Sequence, residues 1–445
     1  MPRDVQSVPA AGLTGMPHRR LSAGHSKAVD PRLDADVAQK SSHEPLESES
    51  WKVPIVLAAL AYVAAVPWES VSLPLGTPTQ FTGSVFVVMW LWRRMRNPKL
   101  GKVPTLVSVL LVALVAWSLF TCIWSFAPVS SLISTVTFAS LALSALALAD
   151  VGHVHYRKVL TVLAVSSGAM SLLVWAAGPS PDGAEGRTFA EIDTNILAFN
   201  LSMGVAAALF MYLEEGRRLT RAIFVVMAVV TAGAVLLTAS RTGLVSLLLI
   251  SVLTVLRALS LGRFRFGLLL PSLFGLAWWY LSVSDRLPNR LQLFVEAPVT
   301  TDARDLIIAT FQQFQGEWEV RGVGFGADAD FLLARAGAYQ NAHSAFWKLW
   351  IEGGVVALLL FGLLLVAVAM YARHSPARGF VFVSVGCIAP FFYSLGALGA
   401  NSLWLVIGLA LAGSVHPRDG TRPKMLRYAQ VNGRTPRPSW GSGSW

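Results

Sequence analysis

Apolar residues run in long blocks along most of this chain, and short polar segments separate the blocks. Each block holds roughly 17 to 25 residues, the length at which an α-helix crosses a hydrocarbon core about 30 Å thick. This pattern predicts an all-α polytopic membrane protein with about twelve transmembrane helices and one large extracytoplasmic loop that contains short helices. The predicted spans are 53–68, 79–93, 103–124, 130–150, 158–177, 194–213, 221–239, 242–259, 266–284, 344–372, 379–397 and 400–415.

The same pattern divides the chain into five segments. They are a disordered cytoplasmic tail at 1–50, transmembrane helices 1–9 within 51–284, the extracytoplasmic loop at 285–342, transmembrane helices 10–12 within 343–415, and a basic cytoplasmic tail at 416–445. Residues 1–50 contain no apolar run and therefore no cleavable signal peptide. We expect the first apolar run to act as a retained signal anchor.

Composition and charge fit this topology. The chain is 54% hydrophobic and 14% charged, whereas a soluble domain carries roughly 25% charged residues. Lysine and arginine concentrate in alternate connections, which predicts that both termini are cytoplasmic and that the protein is a multi-pass protein of the cytoplasmic (inner) membrane. Topology and contact with membrane lipids therefore explain the net charge of +11 without a nucleic-acid partner. The two cysteines lie in apolar segments without CxxC spacing, and they indicate neither disulfides nor a thiolate metal site.

Arginines also occur in three connections on the predicted outer side, where topology disfavours them. They are Arg187, Arg241 in the turn Ser240-Arg241-Thr242-Gly243, and a group in the long loop that includes Arg304 and Arg321. A guanidinium held by two helix ends can grip a phosphate or pyrophosphate through paired hydrogen bonds. It can equally reach lipid phosphate at the membrane surface, so both interpretations of Arg241 stay open at this point.

Polar residues near the predicted helix starts are further site candidates. Asp193 is placed either to cap a helix or to bind a ligand, and Asn195 and Asn200 are expected to face the bundle rather than lipid. Thr301 to Asp305 indicates a helix start that holds Arg304 in its first turn, where free backbone N–H groups favour an anion. An apolar stripe at helical spacing continues this helix through Ile307, Ile308, Phe311 and Phe314.

The loop ends in a glycine-rich stretch and two acidic residues. In Gly322-Val323-Gly324-Phe325-Gly326 the alternating glycines allow close approach of a ligand to the backbone, or simply form a turn. The strand and helix context of a nucleotide-binding loop is missing. Asp328 and Asp330 have the spacing of a metal-binding pair, but no cluster of histidine, cysteine and carboxylate accompanies them. We therefore predict no metal site and no cofactor.

His343 is the best candidate for a general base, because a neutral imidazole can accept a proton near neutral pH. It stands at the start of the span 344–372, and a helix N-terminus disfavours its charged form. A capping or interfacial histidine is the alternative. Lys348 and Glu352 lie four residues apart and can neutralise each other. Gly353 and Gly354 indicate a point of close helix packing.

In four elements the chain resembles the O-antigen ligase and polymerase superfamily of membrane glycosyltransferases. They are SRTG at Ser240 to Gly243, Arg304 early in the large loop, the GVGFG stretch, and AHSAFWKLWIEGGVVALLLF from Ala342 to Phe361. The resemblance covers roughly Thr188 to Phe361. It implies transfer of a glycan from a polyprenyl-pyrophosphate carrier to an acceptor hydroxyl, on an acceptor glycan or glycolipid, at the outer face of the membrane. It also implies possible contact with other polysaccharide-assembly proteins.

The resemblance implies a role for each candidate residue as well. Arg241 and Arg304 would hold the pyrophosphate and His343 would activate the acceptor hydroxyl, without a metal ion. We assign substrate binding to Arg187, Asn195, Arg321, Gly324 and Trp347. The resemblance does not separate a ligase from a polymerase. The alternatives are a secondary transporter or flippase of envelope precursors or small anions, and a structural partner of a polysaccharide-assembly machine.

Overall fold

The computed structural model describes residues 52–71, 76–96, 104–178, 187–188, 192–238, 240–263 and 303–414, together with residue 275. Both predicted tails, most of the predicted span 266–284 and the loop residues 285–302 lie outside this description. The described chain is helical apart from one ladder of two short strands. The prediction of an all-α chain is therefore confirmed for these residues, whereas the count of twelve spans stays a prediction.

The first group of helices precedes the long loop. It comprises α1 (Lys52–Ala65), α2 (Pro78–Arg96), α3 (Thr105–Thr121), α4 (Pro128–Ala177), α5 (Thr194–Glu214), α6 (Arg218–Leu237) and α7 (Arg241–Ser260). The second group comprises α8 (Ala303–Gln313), α9 (Gln315–Trp318), α10 (Asp328–Ala336), α11 (Ala345–Ala372), α12 (Arg378–Ser394) and α13 (Asn401–Leu411). The strands β1 (Arg187–Thr188) and β2 (Ile192–Asp193) pair antiparallel just before α5.

The composition of these helices is that of a membrane protein. In the described part of the chain, five helices are long and apolar enough to cross a membrane, namely α4, α5, α6, α7 and α11. Shorter apolar helices occupy Val53–Trp68, Thr105–Thr121, Arg378–Ser394 and Asn401–Ser414. Many large apolar side chains on the outer surface of these helices are exposed, as hydrocarbon contact requires.

Helix α5 lies at the centre of the bundle, with nearly every side chain from Thr194 to Leu213 buried. Its middle turn is Gly204 to Ala208, and these small residues let neighbouring helices approach closely. A Cβ atom on Gly204 would stand 2.2 Å from the side chain of Ser167 on α4. The centre of the fold therefore depends on close backbone packing between α5 and its neighbour α4.

Helix α4 contains 50 residues, but it does not run straight. Ser144 hydrogen-bonds to the Tyr62 side chain, and Ser166 donates to the carbonyl of Ala64, 2.5 Å away. A straight helix would separate the two serines by about 33 Å, whereas their partners are two residues apart on α1. The helix therefore bends back between residues 144 and 166, the interval in which the sequence predicts a connection at Arg157 and Lys158.

The segment 303–351 builds a small core of its own. Phe311 and Ile307 from the predicted apolar stripe are buried there, so this face of the helix packs on the protein. The other members are Trp318, Val323, Ala327, Phe331, Leu332, Ala342 and Ile351, with Phe314, Trp347 and Trp350 packed against them. This core attaches α8, α9 and α10 to the first turns of α11.

Helix α11 breaks at Gly354, which has φ +67 inside otherwise helical backbone. The loop segment that precedes GVGFG packs against this break. A Cβ on Gly354 would stand 2.1 Å from the carbonyl oxygen of Val320. The N–H of Val355 donates to the carbonyl of Glu319 at 3.0 Å. Gly353 and Gly354 therefore form a close-packing point, as predicted, but between the helix and the loop.

Substitution of Gly354 by alanine is expected to lower the thermal unfolding midpoint by several degrees. This positive-φ, extended-ψ conformation, which essentially only glycine adopts, alone costs a residue with a Cβ about 1–3 kcal/mol, and the clash with the Val320 carbonyl adds to this. Gly362→Ala is the matched control, because Gly362 lies on the same helix with no atom within 4 Å of its Cβ position. Alanine there should be neutral or slightly stabilising. Equal midpoints for the two variants would contradict this role of Gly354.

Candidate functional site

The SRTG turn fixes Arg241 at a helix N-terminus. Ser240 caps α7, since its hydroxyl oxygen accepts from the N–H of Gly243 at 3.2 Å and its O–H donates to Oδ1 of Asn195 at 2.9 Å. Arg241 is the first residue of α7, and its side chain is exposed. The free N–H groups and dipole of this 20-residue helix favour an anion at the same place as the guanidinium.

The start of α5 adjoins this turn. The Asp193 carboxylate accepts from the N–H of Asn195 at 2.8 Å and from that of Ile196 at 3.3 Å, which confirms the capping interpretation of Asp193. Arg187 pairs with Asp193 in the short ladder, so the backbone of Arg187 lies beside the start of α5. The side chain of Arg187 lies outside the description. Asn195 thus links α5 to the SRTG turn through Ser240.

The segments that contain Arg241 and His343 both contact the C-terminal end of α12. We call this end, residues 392–396, the α12 end. Thr242, next to Arg241, donates to Oγ of Ser394 at 2.7 Å. Ser344, next to His343, donates to the carbonyl of Phe392 at 3.4 Å. Since these two contacts are only two residues apart on α12, the segments that carry Arg241 and His343 reach the same helix end. His343 is exposed and directly precedes Ser344, the N-cap of α11.

A buried ionic cluster holds the segment that carries His343. Oδ2 of Asp328 accepts from the N–H of Ala342 at 2.8 Å, and Oδ1 lies 3.5 Å from Nζ of Lys348. Lys348 also lies 3.2 Å from Oε1 of Glu352, although this oxygen has no well-aligned hydrogen bond. Lys348 and Glu352 pair as predicted, and Asp328 joins them. Asp328 therefore contacts residues on both sides of His343, namely Ala342 before it and Lys348 after it.

Glu69, Asn401, Asn200 and Ser402 form a polar group between helices that sequence reasoning missed. Glu69 accepts from Nδ2 of Asn401 at 2.7 Å and from the Asn401 backbone N–H at 3.2 Å. Nδ2 of Asn200 lies 3.5 Å from the same carboxylate, and Ser402 donates to Oδ1 of Asn200 at 2.5 Å. Asn200 is fully buried, which confirms that it faces the bundle. Glu69 thereby joins the end of α1 to α5 and α13.

The Glu69 carboxyl is expected to make stability depend on pH. Burial raises its pKa from 4.5 to about 7, against the smaller lowering effect of its bonds to Asn401 and Asn200. Between these values the folded chain binds more protons than the unfolded chain, so stability falls as pH rises through the interval, by about 3 kcal/mol in all. The thermal unfolding midpoint of the wild type should therefore be lower at pH 8 than at pH 5.

Glu69→Gln should remove most of this pH dependence, because an amide carries no titrating proton. The control is Glu319→Gln, which changes an exposed carboxylate and should keep the wild-type profile. Thermal unfolding of both variants in the same detergent at the two pH values checks the assignment. An unchanged profile in Glu69→Gln would show that another group carries the pH dependence.

The glycine-rich stretch packs closely against other parts of the protein. Gly322, Gly324 and Gly326 all have positive φ, but the groups that approach them belong to the protein. A Cβ on Gly324 would stand 2.2 Å from Oγ of Ser125, and one on Gly322 would stand 2.2 Å from the carbonyl oxygen of Glu352. The N–H of Gly324 donates to that carbonyl at 3.0 Å. Gly324 is buried and joins the loop to the break in α11, and its assignment to ligand binding stays a prediction.

The other candidates are distributed as follows. Arg304 lies in the first turn of α8, as predicted, and its side chain lies outside the description. Trp347 stacks on Trp350 at 5.5 Å between ring centroids and packs in the small core, so its predicted contact with substrate stays a prediction. Arg321 is exposed next to Gly322, which contacts Glu352, roughly 15 Å along α11 from His343. The predicted contact of Arg321 with substrate stays a prediction.

Weak signals for the missed residues were present in the sequence. Glu69 is a carboxylate at the end of an apolar run, and Asn401 opens another such run. Polar groups in such positions usually face protein rather than lipid. Their pairing spans 332 residues, and a single sequence carries no information about contacts at that separation.

The search for known relatives gives no further constraint. A scan against protein families finds no match to this chain, and a search of curated proteins finds no significant similarity. Within the described ranges, no group of three or more histidine, cysteine, aspartate or glutamate side chains is arranged to hold a metal ion. The chemistry at the α12 end therefore has to be inferred from its own residues.

Proposed function

We propose that this chain is a membrane glycosyltransferase that moves a glycan from a polyprenyl-pyrophosphate carrier to an acceptor hydroxyl, as a polysaccharide polymerase or an O-antigen-ligase-like enzyme. One observation carries the proposal: the hydrogen bonds of Thr242 and Ser344 converge on the α12 end. Thr242 and Ser344 directly follow Arg241 and His343, so the backbone segments that carry a guanidinium and an imidazole meet at one helix end. A cation and a base at the same place are what this reaction needs.

The roles of Arg241 and His343 follow from the chemistry of the glycosidic bond to phosphate. When the glycosidic bond to phosphate breaks, negative charge develops on the leaving pyrophosphate, and a preorganised cation stabilises it. Arg241 takes this role, with the N-terminal N–H groups of α7 beside it. A sugar hydroxyl is a weak nucleophile, so His343 accepts its proton as the new bond forms. Asn195 and Asp328 fix the two segments that carry these groups.

The proposal is tested by reconstituting the purified chain in liposomes with a polyprenyl-pyrophosphate glycan and an acceptor. The expected result is free polyprenyl pyrophosphate in an amount equal to the glycan transferred, measured by mass spectrometry. A longer glycan that stays on the carrier would identify a polymerase, and glycan on a different acceptor would identify a ligase. Intact donor after long incubation with several acceptors would count against the enzyme.

A second candidate function is a secondary transporter or flippase, because one observation favours it. Transporters place binding sites at broken membrane helices, and α11 is broken at Gly354 beside the buried pair of Lys348 and Glu352. In the liposome experiment a flippase would move unchanged donor between leaflets, which a leaflet-specific label detects. Movement without any glycan transfer would decide for this alternative.

A further inference from the structure

A cavity of about 430 Å³ opens beside the α3–α4 connection, within the size range of small-molecule sites. Its walls include Trp124 and Phe126 from that connection, Glu317 from α9, Arg321 from the following loop, and Arg335 from α10. None of the groups at the α12 end lines it. The cavity is therefore a surface of its own, built where the small core meets the first group of helices.

The charges around this cavity do not balance. Nε of Arg335 lies 3.0 Å from Oε2 of Glu317, and the Arg335 guanidinium lies 5.6 Å from the centroid of the Phe126 ring. Glu317 thus neutralises Arg335. Arg321 is exposed, and within the described part of the chain its guanidinium forms no ion pair. The cavity therefore has an excess positive charge on a side chain that is available to an anion.

The aromatic wall is fixed in place. Trp124 donates its indole N–H to the carbonyl of Gly322 at 3.1 Å and packs edge-on against Phe120 at 4.9 Å between centroids. Because its polar group is already bonded, what the indole offers a ligand is apolar ring surface. A flat apolar surface suits the C–H face of a pyranose ring, while the polar groups around it suit the hydroxyls.

We propose that this cavity binds a saccharide unit that carries a carboxylate or another anionic substituent, with Arg321 on the anion, Glu317 accepting from hydroxyls, and the ring stacked on Trp124. The proposal rests on the proposed function, since it names the chemistry of the glycan that the enzyme handles. A phosphate head group of an anionic lipid is the competing ligand. The Glu317 carboxylate favours the saccharide, because sugar hydroxyls can donate to it whereas a phosphodiester group has no hydrogen to donate.

The test measures binding without turnover. A disaccharide that ends in glucuronic acid, and the matched disaccharide that ends in glucose, are titrated into the detergent-purified full chain by calorimetry. The acidic disaccharide should bind about 10-fold more tightly. Arg321→Gln should remove this preference, Trp124→Leu should weaken both sugars, and Trp124→Phe should restore part of the binding. Arg373→Gln, a change to an exposed arginine at the end of α11, should leave both affinities unchanged.

Several results would overturn the saccharide assignment. They are equal affinity for the two sugars, absence of binding, a preference that survives Arg321→Gln, and displacement of the acidic sugar by glycerol phosphate at far lower concentration. The last result would identify a lipid head-group site. Since no donor is present, failure of binding is distinguishable from failure of glycan transfer, and either proposal can fail while the other holds.

Discussion

Replacement of His343 by alanine is expected to slow glycan transfer by about 100-fold to 10,000-fold, the range of general-base catalysis. In the proposed reaction the imidazole receives the acceptor proton, and the chain offers no second base directly beside it in the segment from Ala342 to Phe346. The initial rate of release of polyprenyl pyrophosphate, with saturating donor and acceptor, measures the loss. Binding of the donor should change little, because the proton moves only during the chemical step.

The matched control for this variant is His374→Ala. His374 is also exposed, but it follows the far end of α11, so its change should leave the rate unaltered. Added imidazole should restore part of the activity of His343→Ala, because it supplies the missing base from solution. A rate within a few-fold of wild type in His343→Ala would remove the histidine from the mechanism, and lack of any imidazole effect would favour a structural role.

Replacement of Arg241 by alanine is expected to cost about 100-fold or more in the rate of transfer, equivalent to about 2.7 kcal/mol of transition-state stabilisation. In the proposed reaction the guanidinium stabilises the negative charge that develops on the leaving pyrophosphate. Arg241→Lys should recover part of the loss, since an ammonium keeps the charge but not the paired hydrogen bonds of a guanidinium. The rates of the three proteins with the same donor measure this order.

Arg218→Ala controls for the removal of an exposed arginine from the first position of a helix. Arg218 begins α6 as Arg241 begins α7, and the length of α6, about 30 Å, separates it from the SRTG turn. Its loss should leave transfer unchanged. If Arg218→Ala and Arg241→Ala reduce the rate equally, Arg241 acts on lipid contact or general stability, as the snorkelling interpretation holds.

The fold could be predicted from sequence where local pattern decides it. The apolar runs predicted the helices, and a polar residue at a helix start predicted the Asp193 cap. Helical spacing predicted the stripe of Ile307 and Phe311. Capping and amphipathic spacing act within a few residues, so a single sequence contains them. The bend in α4 could be predicted only through the charged residues at its middle. The break at Gly354 could not be located, because it depends on the carbonyl of Val320 reaching the helix across more than thirty residues.

The residues of the candidate site could be named from the sequence, but their arrangement could not. The order of motifs pointed to Arg241 and His343, and the meeting of their segments at the α12 end depends on Ser394 and Phe392, which carry no sequence signal. The packing of Gly324 against Ser125 could not be predicted, because a positive-φ glycine has the same sequence appearance whether a ligand or the protein approaches it. Glu69 and Trp124 were not singled out, since a terminal carboxylate and an interfacial tryptophan are ordinary features of membrane helices.

The most direct test of the central claim is a photolabelling measurement. A donor analogue with a diazirine beside its pyrophosphate is bound to the reconstituted chain, irradiated, and the labelled peptides are identified by mass spectrometry. We expect label in both the SRTG turn and the segment that contains His343 and Ser344, with loss of both when unlabelled donor competes. Competed label confined to the opposite helix ends, around Arg218 and His374, would contradict it.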